Sequence, residues 1–438
     1  MTTFFEEIKN LLYHIRSYGK DKYLENGESE DRVDPLELCK FTNSGFKIAQ
    51  LKVLELLRKE TTIKKGIKEK LADEDIKKSK EIKQQYKADL KLSELREIWL
   101  RHIMDSIAWQ IYGGKREIIG RYFMEEKGTT SLIDEGFIAT LSLANQINAD
   151  PLKFALITDL TENIQIGDLH IWSPQGIDIH EVKTGEKNKI AIDLFEFYDV
   201  NNLNPKECIE QIDEVKMKEH MQRIFNQKEK MIKTTKIINE SSGEHPKKSN
   251  YRVKIHDSHF QQETYHNKIL ELIEQSKEKG WAYDSIESIV NIGVYRDKWR
   301  FDLGKDTLIE CNNGFQVVDI KDCTGSTITE PLFCKPFSDE ILMDIIKGNI
   351  MIYIGVDLQS VIDFGNSIGG NMRWSTKKEF QEIKTKVSEV ISHDNKGVIM
   401  SETSNGNAFM SGGFFCRLVF DHLNPRIEIA NRIHTYSM

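Results

Sequence analysis

Two carboxylates and a lysine stand near the two ends of the segment GDLHIWSPQGIDIHEVKTG, residues 167–185. Asp168 precedes Glu181 by thirteen residues, and Lys183 follows Glu181 by two. Neighbouring carboxylates repel each other unless a cation lies between them. Oxygen ligands of this kind suit Mg²⁺ or Mn²⁺, which keep several waters and accept phosphate oxygens. The three residues are therefore a candidate centre for metal-assisted hydrolysis of a phosphate ester.

The elements that must position these residues are predicted from the sequence pattern. IQIGDLHIW and IDIHEVKTG have the composition of strands, and SPQG is the turn between them. KFALITDL predicts an earlier strand, and helical patterns precede it in LSELREIWLRHIMDSIAWQIYGG and SLIDEGFIATLSLANQINA. The segment is thus predicted to be an antiparallel hairpin that follows helices and one further strand.

Strand alternation decides which of these side chains can meet. Glu181 and Lys183 are two residues apart, so they share one face with Ile179. Antiparallel pairing across the turn then brings Asp168 to the same end of the sheet. The carbonyl of Val182 is a further candidate metal ligand. Lys183 would orient water or offset charge in the transition state.

A long helix is predicted after the hairpin. Asn204 is a natural N-cap, Pro205 suits the first helical position, and Glu207 completes the spacing of a capping box. Its predicted core stripe is Ile209, Ile212, Val215, Ile224 and Phe225. The helix is expected to end at the Ser/Gly/Pro/Lys-rich stretch 239–250, which is the predicted linker.

This order of elements, with Asp168 in GDLHIW and Glu181-Val182-Lys183 in HEVKTG, resembles the PD-(D/E)xK nuclease superfamily. Gly167-Asp168 stands where the family has Pro-Asp. The resemblance covers roughly residues 94–240, about a third of the chain. It implies an α/β fold with a restriction endonuclease-like mixed-sheet core flanked by helices, and Mg²⁺- or Mn²⁺-dependent hydrolysis of DNA or, secondarily, RNA. By analogy, a role in bacterial defence or restriction is expected.

The resemblance also implies two further site residues. A polar residue on the following helix often approaches the centre in this family, and Gln222 is the candidate, with Gln211 as its rival. An acid on the preceding helix often contributes as well, and Glu135 in LIDEGFIATL is the candidate.

Three regions are expected along the chain. Residues 1–93 form a helical N-terminal region rich in lysine and glutamate, and residues 94–240 the nuclease-like domain. Residues 251–438 form an α+β domain for recognition, partner docking or oligomerisation. Within it HNKILELIEQSKEKG is a predicted helix, and the predicted strands are TLIECN, FQVVDIK, IMIYIGVDL, GVIMSET and FFCRLVF.

Binding of nucleic acid needs a local basic surface, because the net charge is −8. Residues 215–254 carry eleven Lys/Arg against four Asp/Glu, which gives 11 − 4 = +7. A basic helix next to a metal centre could contact phosphates, although a solvated lysine-rich face has the same pattern. The candidate phosphate-binding residues are Lys216, Lys218, Arg223, Lys228, Lys230 and Lys233.

Other classes of protein are disfavoured. The six cysteines contain no C-x-x-C pair, which indicates reduced thiols and argues against a zinc site. There is no secretory signal and no apolar run of membrane-spanning length, so a cytoplasmic location without membrane contact is expected. A phosphate-binding P-loop is missing from the sequence.

Rival interpretations stay open. Asp302 followed by Asp319-Ile320-Lys321 echoes the acid and D-x-K pattern, with charges at a sheet edge as the alternative. The histidine-rich stretch KIHDSHFQQETYH, with His256, Asp257, His259 and His266, has the composition of a polar surface segment. A non-catalytic scaffold that docks a partner ATPase, helicase or subunit is the second functional hypothesis, and a homo-oligomer is compatible with both.

Overall fold

The computed structural model of the chain divides into two compact units: Glu6–Ile255, here the N-terminal unit, and His256–Met438 with Thr3–Phe5, here the C-terminal unit. The predicted regions 1–93 and 94–240 fall in the same unit. The residues that the structure describes are 3–19, 34–73, 79–123, 131–182, 186–201, 203–246, 251–255, 260–313, 315, 317–322, 328–385, 391–403 and 406–437.

Long helices form the first part of the N-terminal unit. They are α1 (Phe4–Ile15), α2 (Pro35–Ala72), α3 (Lys80–Ile111), α4 (Arg116–Tyr122) and α5 (Glu135–Ile147). Helix α2 begins where the side chain of Asp34 accepts a hydrogen bond from the backbone N–H of Leu36, with Pro35 at the first helical position. Its buried residues include Phe46, which packs its ring against Phe154. The N-terminal helices therefore contribute directly to the core that supports the sheet.

The strands β1 (Phe154–Ile157), β2 (Leu169–Ser173) and β3 (Gly176–His180) form an antiparallel sheet in that order. All residues of β1 are buried. Its outer edge is closed by the side chain of Gln50 in α2, whose Nε2 donates to the carbonyl of Ala155 at 3.0 Å. The Oε1 of Gln50 accepts from the N–H of Ile157 at 2.9 Å. A single amide thus satisfies backbone groups that an edge strand would otherwise expose.

Helices α6 (Glu186–Val200), α7 (Pro205–Glu210) and α8 (Val215–Glu240) follow the sheet. The single long helix predicted from Asn204 is wrong, because α7 ends at Glu210 and α8 begins at Val215. The N–H groups of Gln211 and Ile212 bond back three residues and tighten the last turn of α7. Val215, predicted in the core stripe, is 68% exposed. Ile209, Ile224 and Phe225 do lie in the core between these helices.

The predicted linker 239–250 is in part a strand. Residues of β4 (Ser242–Glu244) pair with β5 (Arg252–Lys254) in a two-stranded antiparallel ladder. Ser241 ends α8 in the left-handed conformation, with φ 56°. Residues 247–250 lie outside the described part of the chain.

The C-terminal unit has two sheets with helices between their strands. The first has the order β6-β7-β9-β8, and in the second β12 pairs with β10, β11 and β13. Its elements are α9 (His266–Lys279), β6 (Trp281–Ile286), β7 (Val290–Tyr295), α10 (Phe301–Cys311), β8 (Val317–Asp319), α11 (Asp339–Lys347), β9 (Met351–Val356), α12 (Leu358–Ser367), β10 (Met372–Trp374), α13 (Lys377–Lys384), β11 (Ser392–His393), β12 (Lys396–Thr403), β13 (Gly406–Phe409), α14 (Gly412–Val419) and α15 (Pro425–Ser437).

Two predicted strands of this unit are helices. TLIECN lies at the end of α10, and FFCRLVF lies in α14. The strands predicted in FQVVDIK, IMIYIGVDL and GVIMSET are present as β8, β9 and β12, and HNKILELIEQSKEKG forms α9. Short apolar runs are ambiguous between strand and buried helix, and the two errors are of that kind.

The chain is an α/β protein in the coarse sense of containing both helices and sheets. Each strand pair among the described residues is antiparallel, whereas a mixed sheet was predicted. No helix in the described ranges combines the length and the apolar character needed to cross a membrane.

Candidate functional site

Asp168 and Glu181 lie at the same end of the hairpin. The β2–β3 ladder ends with Leu169 opposite His180, and Asp168 and Glu181 are the residues that directly precede β2 and directly follow β3. Ile177 and Ile179 of β3 are half-buried on one face of the strand, here the inner face, and strand alternation gives Glu181 the same face. Both acids are half-buried, so the two carboxyl groups belong to one partly desolvated end of the hairpin.

The backbone of Asp168 joins the ends of all three strands. Its N–H donates to the carbonyl of His180 at 2.8 Å, and its carbonyl accepts from the N–H of Thr158 at 3.1 Å. Its side-chain Oδ2 accepts a hydrogen bond from the N–H of Val182 at 2.6 Å. The Asp168 carboxylate is therefore tied to the residue between Glu181 and Lys183.

Gly167 makes the approach to Asp168 possible. Its φ is +78°, and a Cβ at this position would lie 2.5 Å from Cγ2 of Ile179. A side chain is excluded by the neighbouring strand and disfavoured by the backbone conformation. The carbonyl of Gly167 accepts from the hydroxyl of Thr158 at 2.7 Å, so the turn is held from β1 as well.

A buried polar chain lies beside the acids. His170 is opposite Ile179 across β2 and β3, so it shares the inner face. Its Nδ1 is 2.6 Å from the hydroxyl of Tyr112, and its Nε2 is 2.8 Å from the carbonyl of Ile166. The carbonyl can only accept, so Nε2 carries the proton and Nδ1 accepts from Tyr112. Burial lowers the pKa of His170 to about 4, so it is neutral at pH 7.

This chain fixes the loop that leads into Asp168. Ile166 immediately precedes Gly167, and Gln165 donates its N–H to the carbonyl of Tyr122 at 2.9 Å. The ring of Tyr122 packs edge-on against His170 with centroids 4.8 Å apart. Asp105 of α3 accepts the N–H groups of Glu162 and Asn163 at 3.0 and 2.9 Å. Helices α3 and α4 thus fix the loop between β1 and β2 from its start to its end.

The sequence reasoning did not single out Thr158, Asp105, His170, Tyr112 or Tyr122. A signal was present for His170 alone, because a histidine inside an otherwise apolar strand and two residues from an acid needs a partner. The other contacts join residues that are far apart in the sequence, and no local pattern shows them.

The donor set fits a hard divalent cation in kind. Asp168 and Glu181 supply carboxylate oxygens from the same end of the hairpin, which suits Mg²⁺ with its remaining positions filled by water. In the part of the chain that the structure describes, no group of three His, Cys, Asp or Glu side chains has an arrangement that could hold a metal. Two protein carboxylates are therefore the basis of the candidate site. Val182 contributes an N–H to Asp168, and Lys183 lies outside the described residues.

The two more distant predicted residues lie on helices. Glu135 is an exposed residue in the first turn of α5, and the described contacts do not join it to Asp168 or Glu181. Gln222 lies on α8, where its Nε2 donates to Oδ1 of Asn226 at 3.0 Å. Its rival Gln211 is exposed just after the end of α7.

Basic and amide side chains, with the acidic Glu219 among them, line one side of α8. Lys216, Arg223 and Lys230 are seven residues apart, nearly two helical turns, so they form one stripe. Gln222 borders the same side, and with Lys218, Arg223 and Lys230 it lines an open hollow of ≈ 760 Å³. The structure thus groups four of the predicted residues along one concave surface.

The other predicted cations are partly engaged. The ammonium of Lys218 donates to the carbonyl of Glu210 at 2.9 Å. Lys233 lies 3.3 Å from the carboxylate of Glu244. The ammonium of Lys228 lies 5.9 Å from the centre of the Phe195 ring, on the side of α8 that packs against α6. The stripe through Lys216, Arg223 and Lys230 is therefore the best-placed cationic surface of the helix.

The D-x-K pattern of the C-terminal unit, Asp319-Ile320-Lys321, forms an ion pair. Asp319 ends β8 and is buried, with Nζ of Lys321 3.1 Å from its Oδ2. Burial raises the pKa of Asp319, and the Lys321 charge opposes that shift. Asp302 lies in the first turn of α10, not on a strand. In the histidine-rich stretch, His266 begins α9, and the remaining predicted residues, at 256, 257 and 259, lie outside the described part.

Comparisons of the chain with protein-family models, with curated proteins and with solved structures each found no match.

Proposed function

We propose that this chain hydrolyses phosphodiester bonds of nucleic acid, DNA first and RNA second, in a reaction that depends on Mg²⁺ or Mn²⁺. The observation that carries the proposal is that Asp168 and Glu181 are half-buried at one end of the hairpin, where the carboxylate of Asp168 accepts the N–H of Val182. Carboxylate oxygens from two such residues are ligands that a hard divalent cation prefers, with water in its remaining positions.

Asp168 and Glu181 would hold the cation, with the carbonyl of Val182 as a further candidate ligand. Such an ion supplies Lewis-acid stabilisation of the phosphate and makes a nucleophile available near neutral pH. The N–H of Val182 fixes one oxygen of Asp168, which sets the orientation of its carboxylate. Lys183 would orient the attacking water or offset charge that develops on the phosphate. By the family resemblance, the products would carry a 5′-phosphate and a 3′-hydroxyl.

Helix α8 would bind the substrate backbone. The stripe of Lys216, Arg223 and Lys230 supplies the positive charge that the whole chain, at −8, lacks. Gln222 and Asn226 add amide donors along the hollow that this side of the helix lines. Amides and cations of this kind bind phosphate oxygens without reading the base sequence.

The test is a cleavage assay with linear, nicked and supercoiled DNA and with RNA, in Mg²⁺, Mn²⁺ or EDTA. Glu181→Gln should remove at least about 99% of the metal-dependent activity, since one ligand charge is lost. Asp178→Asn is the matched control, because this exposed carboxylate lies on the opposite face of β3. Equal activity of Glu181→Gln and the wild type would contradict the site, as would cleavage that is unaffected by EDTA.

A non-catalytic scaffold is the second candidate, and one observation favours it. On α6, Phe197 and Val200 are 56% and 80% exposed, which leaves apolar side chains open to a partner. Absence of metal-dependent cleavage of every substrate, with co-purification of a partner that Phe197→Asp abolishes, would support this function over hydrolysis.

A further inference from the structure

The C-terminal unit contains a hollow of ≈ 360 Å³ between one end of the β10–β12–β11 sheet, the end of α10 and the start of α12. Three aromatic rings, those of Phe315, Trp374 and His393, line it together with Asn313, Asp357 and Lys396. Ligand-binding pockets span about 300–1,000 Å³, so the hollow has room for a ligand the size of one nucleotide. Its residues are separate from those of the proposed hydrolytic centre.

Strand register puts the ring of Trp374 and a cation on one face. Trp374 is opposite Val398 across β10 and β12, and His393 is opposite Lys396 across β11 and β12. Residues 396 and 398 are two apart on β12, so their side chains share a face. Trp374, His393 and Lys396 therefore project to the same side of the sheet at the same end.

The ring of Trp374 is held in place by polar contacts at its edge. Its Nε1 donates to Oε1 of Gln359 at 2.8 Å, and Nε2 of Gln359 donates to Asp363 at 2.8 Å. Phe315 is buried and packs edge-on against both His393 and Phe415. With its N–H satisfied, Trp374 offers the hollow an apolar ring face in a fixed orientation.

The hollow is lined by three side chains of fixed charge, those of Asp357, Asp394 and Lys396. Asp357 accepts from the N–H of Gln359, from Nδ2 of Asn313 and from the hydroxyl of Ser360, at 2.9, 3.1 and 2.8 Å. Its carboxylate is thus satisfied by the protein. Oδ2 of Asp394 lies 3.6 Å from Nε2 of His393. The ammonium of Lys396 is exposed and has no hydrogen-bond or ion-pair partner among the described residues. Lys396 is therefore the cationic group that the hollow offers to a ligand.

We propose that this hollow binds a single nucleotide, whose base stacks on Trp374 and whose phosphate pairs with Lys396. A base has the flat π-face that a fixed indole accepts, and stacking of this kind tolerates different bases. Lys396 supplies a compact positive charge for the phosphate. The proposal does not depend on the hydrolytic activity of the N-terminal unit.

Isothermal titration of the full chain with AMP, GMP, CMP and UMP tests the proposal, with EDTA present to exclude cleavage. Trp374→Ala should weaken binding by about tenfold or more, as loss of base stacking does, and Trp374→Phe should retain most of it. Lys396→Ala should weaken the binding of nucleotides but not the binding of nucleosides. The matched controls are Trp281→Ala, an exposed tryptophan of β6 outside the hollow, and Lys305→Ala, an exposed lysine of α10.

Further ligands distinguish a free nucleotide from a nucleic-acid strand and test the stacking role of Trp374. Binding of a mononucleotide is compared with binding of the same nucleotide, unpaired, within a short strand. Equal affinities show that the hollow recognises the nucleotide unit that both share. A higher affinity for one of them shows whether the natural ligand is a free nucleotide or a nucleic-acid strand. Equal affinity for ribose 5-phosphate and AMP would overturn the stacking role. No binding of any nucleotide at millimolar concentration, or the same affinity in Trp374→Ala as in the wild type, would overturn the proposal. Retained binding by Trp374→Phe excludes loss of folding as the cause.

Discussion

The carboxylate of Asp168 has two proposed roles, and single substitutions can separate them. Its carboxylate is a candidate metal ligand, and the same group accepts the N–H of Val182 at 2.6 Å. Asparagine at this position keeps an oxygen acceptor but has no charge, whereas alanine has neither. Hydrogen bonds to charged groups contribute about 1.5–3 kcal/mol. We therefore expect Asp168→Ala to lower the free energy of unfolding by more than Asp168→Asn does, as measured by urea denaturation.

Gly167 gives a second prediction at the residue scale. Alanine here would have a positive φ and a Cβ 2.5 Å from Ile179, so Gly167→Ala should destabilise the N-terminal unit by at least about 1–2 kcal/mol. The control is Gly66→Ala in α2, where a Cβ meets nothing within 4 Å. That change should stabilise by up to about 1 kcal/mol. Urea unfolding measures both, and a neutral Gly167→Ala would contradict the tight turn.

His170 gives a prediction about pH. Burial lowers its pKa to about 4, below the value of about 6.5 in an unfolded chain. The unfolded state therefore binds more protons than the native state between these values. The free energy of unfolding consequently decreases as the pH falls from 6.5 towards 4. His102, buried in α3, has the same direction of shift and also reaches about 4. The native N-terminal unit should thus lose stability on acidification over this range.

The measurement is the free energy of unfolding at several pH values between 7 and 4. His170→Asn should make the slope shallower by about one proton, or about 1.4 kcal/mol per pH unit at most. His180→Asn is the control, because His180 is exposed on β3. The same slope in His170→Asn and the wild type would show that His170 is not held neutral by burial.

At the scale of elements, helices and strands were predicted most accurately from the sequence where one face of the element is buried and the hydrophobic period is clear. The hairpin of β2 and β3 follows from the alternation in GDLHIW and IDIH with a turn at SPQG. TLIECN and FFCRLVF are short apolar runs that lie in helices, and Leu308 of the first and Phe414 of the second are buried there. The break between α7 and α8 carries no Pro or Gly, so local sequence gives no signal for it.

Part of the candidate site could also be predicted from the local sequence pattern. Asp168 and Glu181 lie at the same end of the hairpin because of its register, which depends on local pattern and turn length. Gln50, Tyr112 and Asp105 act on the sheet from helices that are 50 or more residues away in the sequence. Such contacts depend on how helices pack, and neither periodicity nor spacing contains that information.

The basic stripe of α8 gives a prediction at the same scale. Replacing Lys216, Arg223 and Lys230 together by alanine should weaken DNA binding and reduce the slope of log K against log salt by about 0.9 for each phosphate that is no longer neutralised. Lys228→Ala should change the slope less, since its ammonium lies over Phe195. Fluorescence anisotropy with a catalytically inactive variant, between about 50 and 200 mM salt, measures both; equal slopes would exclude the stripe from the interface.

At the scale of the whole molecule, the division between Ile255 and His256 is the main feature. Each unit has its own core, with Leu57 fully buried in one and Ile354 in the other. Leu57→Ala and Ile354→Ala should each cost about 2–5 kcal/mol, and they should lower different calorimetric transitions. If both lowered the same transition by the same amount, the two units would unfold as one.

A titration with Mn²⁺ tests most directly whether Asp168 and Glu181 bind a hard divalent cation. Free Mn²⁺ would be followed by electron paramagnetic resonance with the wild type, Asp168→Asn, Glu181→Gln and the control Asp178→Asn. We expect binding by the wild type and Asp178→Asn, and a decrease of at least about tenfold in affinity for each of the other two. Absence of binding by the wild type, or affinity unchanged in Asp168→Asn and Glu181→Gln, would contradict the proposed metal site.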